Sequence, residues 1–253
     1  MRSFKKPLSA VVLTLLAACA SAPTPQPAIL TEIDPLEQDA INALKLNLVQ
    51  EARTGLDAAL VKYQMLDDLE GQWRVHLTNT KLANGAGDLA SADSEVDWLE
   101  ELAELINTDF VRYHTYILLG QIKQDASYFQ SALAVAATPL EQAVVLTYLD
   151  RIDEAVALIE PNQVDHPTDR AFVLFRYALR TGNEADLQRA LTVYKLAEDS
   201  RGVADTLVLL SRLSRQANDL RKAKIYGRRA LRALTSMGDL KRADIIEAWL
   251  AEL

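Results

Sequence analysis

From Leu36 onward, apolar residues return every three or four positions. Leu36, Ile41, Leu44, Leu48, Leu56, Ala59, Tyr63, Leu66, Leu69 and Trp73 stay near one stripe, as in an amphipathic helix. Asp34-Pro35-Leu36-Glu37 supplies its start. Asp34 accepts orphan backbone N–H groups, Pro35 suits the first helical position, and Glu37 favours the positive end. Unbroken to His76, this helix is a rod of about 60 Å, with Gly55 and Gly71 the two places for a break or bend. Leu77 to Asp93, LTNTKLANGAGDLASAD, lacks useful periodicity and reads as a loop. Gly85-Ala86-Gly87 within it is not a phosphate loop, since no strand precedes it and no Lys-Ser/Thr pair follows. Ser94 with Asp97 then restarts a helix carrying Trp98, Leu99, Leu102 and Leu105.

Beyond residue 110 the chain repeats itself. A small residue is followed twelve positions later by alanine four times: Gly120 and Ala132, Ala143 and Ala155, Ala178 and Ala190, Ser211 and Ala223. Small residues at fixed spacing let two successive helices approach closely as an antiparallel hairpin. The last three alanines are 35 and 33 residues apart, a period of helical hairpin arrays. One hairpin cannot bury its own apolar face, so stacking is obligatory.

YILLG (Tyr116 to Gly120) and ALTVY (Ala190 to Tyr194) resemble the aromatic-Leu-Gly and alanine-to-aromatic parts of the tetratricopeptide repeat. RIDEAVALI (Arg151 to Ile159), ADLQRAL (Ala185 to Leu191) and NDLRKAK (Asn218 to Lys224) are similar to its second-helix starts. Ala132 to Ala155 spans only 23 residues, so the second of these hairpins must be trimmed, and the family's closing proline is mostly missing. Gly238 to Leu253 reads as the solvated capping helix that solenoids need. The resemblance implies an all-α, right-handed α-solenoid over 110–253, preceded by long helices over 34–109. It also implies a concave groove lined by first helices that grips a peptide. Carried through the twelve-residue pairs, its candidates are His114, Gln121, Gln124, Glu141, Tyr148, Arg176, Arg212 and Arg215.

At the other end, Arg2, Lys5 and Lys6 precede an uncharged run from Leu8 to Ala18, the layout of an export signal. The run is too short for a bilayer, which needs about 20 apolar residues in a helix. Leu16-Ala17-Ala18-Cys19 then resembles the lipobox of bacterial lipoproteins. That resemblance implies cleavage after residue 18, acylation of Cys19 with palmitate-type chains, and, with Ala20 next, the periplasmic face of the outer membrane. Several chains on one residue give stable attachment where a single chain does not. Pro23, Pro25 and Pro27 make 19–33 a tether, extending at about 3.1 Å per residue. Cys19 is the one cysteine, so no intramolecular disulfide is available to the exported domain.

The formal net charge of −8 becomes more negative once the basic signal is removed, which argues against nucleic acid as a partner. The histidines His76, His114 and His166 lie tens of residues apart with no metal-ligand spacing. His76 reads as the end of a helix and His166 as a loop residue before Pro167; His114 is the one candidate for chemistry, though no nucleophile can be named beside it. Asp97, Glu100, Glu101 and Glu104 form a solvated stripe rather than carboxylates facing across a cleft. No cofactor signature and no G-x-S-x-G appear, and the chain reads as a non-enzyme.

Against that acidic balance, Arg201 to Arg242 holds eleven Lys or Arg and three acids. Arg221, Lys224, Arg228 and Arg232 fall along one helical face. The sequence leaves these alternatives for them: solvated outer faces, ion-pair partners of the acidic N-terminal helices, or a docking surface for acidic peptide, peptidoglycan or lipid head groups. The expectation is a lipid-anchored scaffold that binds other envelope proteins. The alternative is a protein that binds or hydrolyses peptidoglycan, with the helices as its frame.

Overall fold

A computed structural model describes residues 28–45, 48–86, 88–159 and 166–253. Among them every regular element is a helix. These are α1 (Ala28–Lys45), α2 (Val49–Met65), α3 (Leu69–Ala86), α4 (Leu89–Ile106), α5 (Asp109–Lys123), α6 (Ala126–Val135), α7 (Pro139–Tyr148), α8 (Ile152–Leu158), α9 (Pro167–Thr181), α10 (Glu184–Leu196), α11 (Ser200–Gln216), α12 (Leu220–Ser236) and α13 (Leu240–Ala251). Each helix packs on its chain neighbours, in hairpins α1/α2 through α11/α12 closed by α13. Odd-numbered helices also touch one another, α3 with α5, α7 with α9 and α9 with α11. They form the inner layer of an α-solenoid, and the even-numbered helices form the outer one.

The twelve-residue pairs sit at the hairpin crossings. Gly120, Ala132, Ala143, Ala155, Ala178, Ala190, Ser211 and Ala223 are all buried. Side chains this small let the helix axes close in, and the Ser211 hydroxyl donates across the gap to the Ala223 carbonyl. The trimmed hairpin is α7/α8, with helices of 10 and 7 residues. Thr138 and Glu141 cap α7 reciprocally. The Glu141 N–H donates to Thr138 Oγ1 over 3.1 Å, and the Glu141 carboxylate accepts from the Thr138 N–H over 2.9 Å.

The same junction is built twice, 131 residues apart. Tyr63 lies in the last turn of α2, Asp67 turns the chain at φ 53°, Asp68 accepts from the Gly71 N–H, and the Tyr63 ring lies over Gly71. Tyr194, Glu198 (φ 55°), Asp199 and Gly202 reproduce it between α10 and α11. A Cβ would come within 2.2 Å of the Tyr63 ring at Gly71 and 2.3 Å of the Tyr194 ring at Gly202. The N-terminal half therefore belongs to the same architecture as residues 110–253.

Several expectations over 34–109 need correction. Neither Gly55 nor Gly71 breaks a helix. α1 ends at Lys45 and α2 runs from Val49 to Met65, with α3 starting at Leu69, and Gly55 instead brings α2 against Ala40 of α1, its Cβ position 3.1 Å from the alanine's. α1 starts at Ala28 rather than Asp34 and carries Pro35 inside it, which costs that helix one backbone hydrogen bond. Residues 77–86 are helix rather than loop. Thr78 and Thr80 return their hydroxyls to the Arg74 and His76 carbonyls over 2.9 and 2.7 Å, so polar letters sit on buried helix surface. Asp88, not Ser94, caps α4, accepting from the Ser91 N–H. His76 does not end a helix. It lies buried within α3, its Nδ1 2.5 Å from Glu95 of α4 and its ring stacked on Trp98.

Candidate functional site

The inner layer curves so that α3 approaches α11. A Cβ on Gly85, in the last turn of α3, would lie 3.5 Å from Arg201 Nη1 at the start of α11. Lys81 of α3, His114 of α5, Glu141 of α7 and Asp169 of α9 face one space, close enough to feel one another's charge. Lys81 and Asp169 both keep exposed surface, yet burial pushes the Lys81 ammonium down and the Asp169 carboxyl up. A group reached by water but hemmed by protein on most sides behaves in this way. Each is the other's attractive charge.

His114 enters this space from α5 within a collar of rings, its centroid 4.6 Å from Phe110, 5.1 Å from Tyr113 and 6.4 Å from Trp73. Burial first, then the Lys81 charge, holds its imidazole below the usual value, partly opposed by Glu141. Burial within the ring collar favours its neutral form.

Gln121 and Tyr148 meet across α5 and α7, the amide Nε2 donating to the tyrosine Oη over 2.5 Å. The Tyr148 ring stacks on Phe129 at 4.9 Å and 3° and reaches Phe172 of α9 at 5.4 Å. Burial raises its hydroxyl, while the Gln121 bond and Arg176 lower it. Arg176, one turn beyond Phe172, has its Nε buried without a hydrogen-bond partner. An unanswered guanidinium donor in a concave wall is costly unless something arrives to accept from it.

Farther along, Arg212 helps form a cavity of about 160 Å³ with Phe175, Leu179, Asp205, Val208, Leu209 and Arg242. Arg242 of α13 pairs with Asp205 and Asp239, leaving Arg212 the uncommitted cation of that pocket. His114, Gln121, Glu141, Tyr148, Arg176 and Arg212 thus share one inner surface. Glu141 is already occupied as a cap.

Two expected groove residues lie elsewhere. Gln124 is the left-handed C-cap of α5 at φ 54°, exposed at the hairpin turn. Arg215 lies 5.8 Å from the Trp249 ring and fastens the capping helix by a cation–π contact. Lys81 and Asp169 were missed, Lys81 because its segment looked like loop. Asp169 carried one local signal, its place in the first turn after Pro167.

On the outer layer, Arg221, Lys224, Arg228 and Arg232 line α12. None of them makes an ion pair among the described residues. Among the described residues they do not pair with the acidic N-terminal helices, which leaves a solvated face or a docking surface. Cys19 lies outside the described residues. Among those described, no group of three or more His, Cys, Asp or Glu could hold a metal, and no helix is long and apolar enough to cross a membrane.

No family model matches the chain, and neither does any curated protein. Among solved structures, it is similar to a signal-transduction ATPase with numerous domains and a tetratricopeptide repeat sensor from Pyrococcus horikoshii. Identity is 16% and the TM-score 0.45, over 87% of this chain and 32% of that one. It also matches the DHF58 filament, at 21% identity and TM-score 0.13, over 88% and 93% of the two chains. At such TM-scores neither superposition bears on function. The chain's own helices carry the architecture: an α-solenoid of tetratricopeptide-like hairpins.

Proposed function

We propose that this protein is a non-enzymatic scaffold, held by lipid at Cys19 on the periplasmic face of the outer membrane, that grips other envelope proteins in its concave groove. The observation that carries the groove is Arg176. Its buried, unanswered Nε stands beside the Tyr148 and Phe172 rings, so the wall offers a charged donor with apolar contact alongside. Arg212, an exposed cation, stands beside Phe175, Val208 and Leu209 in the next pocket. A peptide bearing acidic and aromatic or aliphatic side chains satisfies both positions. Anchoring adds to this by raising the local concentration of membrane-bound partners.

The test is chemical cross-linking in living cells, followed by mass spectrometry, on the native protein and on Arg176→Glu/Arg212→Glu. Enrichment of a defined set of envelope proteins that disappears in the variant supports the scaffold. An unchanged set removes the groove from the account, and recovery of glycan fragments alone moves the reading to peptidoglycan. For the anchor, Cys19→Ser should lose palmitate labelling and membrane fractionation. Retention of either contradicts it.

A further inference from the structure

We infer that copies of this chain associate head to tail, the outer face of α4 on one molecule against the outer face of α12 on the next. Residues 34–109 hold sixteen acids and five Lys or Arg, whereas 201–242 hold three acids and eleven Lys or Arg. The solenoid therefore places opposite charge toward its two ends.

The complementarity extends to single residues. On α4, Asp97, Glu101 and Glu104 are exposed and make no ion pair among the described residues, with Trp98 (51% exposed) and Leu105 (60%) on the same face. On α12, Arg228, Lys224 and Arg221 are likewise unpaired, with Ile225 (48%) among them. From Asp97 the acids step forward by four and then three residues. From Arg228 the cations step backward by the same four and three. Laid antiparallel, the two helices oppose Asp97 to Arg228, Glu101 to Lys224 and Glu104 to Arg221, over about 10 Å at 1.5 Å per residue. The apolar side chains flank the charged stripe on each helix, Trp98 and Leu105 on α4 and Ile225 on α12, and add apolar contact beside the ion pairs.

Like charges one turn apart destabilise their own helix. A partner that neutralises them removes that repulsion on both helices at once. An anionic bilayer would answer α12 alone and would repel the rest of this acidic chain. A second copy answers both faces. Because the two surfaces differ, the contact is heterologous, and it propagates as a chain of molecules unless its rotation closes a ring. The inference uses outer-layer helices and does not rest on the groove.

The test is sedimentation velocity on the full chain in mild detergent, at low and high salt. The samples are the wild type, Glu101→Lys/Glu104→Lys, Arg221→Glu/Arg228→Glu, and an equimolar mixture of the two variants. The wild type should form concentration-dependent oligomers at low salt that dissociate at high salt. Each variant alone should lose them, because its two faces carry like charge, and the mixture should regain them. Circular dichroism checks that the exposed substitutions leave the helices intact. A wild type that stays monomeric at low salt overturns the inference. Variants that associate as the wild type does also overturn it, as does a mixture that fails to reassociate. Salt-sensitive binding of the wild type to phosphatidylglycerol vesicles without self-association would overturn it as well and assign α12 to lipid.

Discussion

The amide of Gln121 donates to the hydroxyl of Tyr148 across 27 residues of sequence and 2.5 Å of space. This bond joins α5 to α7 on the inner layer, just where α7/α8 is shortest. Tyr148 also stacks on Phe129 and touches Phe172, so one residue ties three consecutive hairpins together. Tyr148→Phe, which keeps the ring and leaves the amide unanswered, should cost about 1 kcal/mol in urea unfolding. Tyr148→Ala, which also removes the ring, should cost about 3–5 kcal/mol. Equal effects would mean that the hydrogen bond, not the stack, does the joining.

Gly71 and Gly202 give a matched pair. Each lies under a tyrosine ring with no room for a methyl group, so Gly71→Ala and Gly202→Ala should each lower stability by about 1–3 kcal/mol through overpacking. Gly85, whose Cβ would make only ordinary contact with Arg201, should accept alanine with no loss, since alanine is the better helix former. Thermal unfolding of the three variants distinguishes a packed junction from a general intolerance of alanine.

His114 should report on the groove by its titration. Its folded imidazole lies below the ordinary 6.5, chiefly through burial and secondly through Lys81. As pH falls below about 6.5 the unfolded chain takes the proton first, so this group's stabilisation is full above that value and is lost as pH falls through the folded one. Asp169 acts in the opposite sense. Burial raises its carboxyl, so the folded state binds the proton first and its contribution grows as pH falls through that raised value. In NMR titrations, Lys81→Met should raise the His114 pKa and Glu141→Gln should lower it. No movement in the first would place Lys81 outside the space that His114 enters.

Arg215 holds the end of the array through Trp249. Arg215→Ala should weaken α13 by about 0.5–1 kcal/mol and speed amide exchange in Leu240–Ala251, while leaving partner capture intact. A loss of capture with α13 unaffected would return Arg215 to the groove.

The hairpins of residues 110–253 were legible because their crossings demand small residues at one spacing, and Gly120 through Ala223 display it. A closing helix was expected over Gly238 to Leu253, and α13 is helical from Leu240 to Ala251. The α3/α4 hairpin was not legible, for a physical reason. Thr78 and Thr80 bond back to their own helix, and His76 is hydrogen-bonded to Glu95, so polar letters occupy interior surface. The junction glycines misled for a related reason: at Gly71 the missing side chain serves an approaching ring, and the turn falls at Asp67 instead. Of the groove, the inner-layer positions of His114, Tyr148, Arg176 and Arg212 followed from the repeat. Lys81 and Asp169 did not, because they come together from α3 and α9, 88 positions apart, and leave no local mark.

The most direct measurement is site-specific photo-cross-linking in cells, with a photoactivatable phenylalanine placed in turn at position 176, position 212 and position 192 on the outer face of α10. The scaffold account predicts discrete protein adducts, shared by 176 and 212 and absent from 192. Adducts at 192 alone, or none at either groove position while the protein is folded and present, would contradict it.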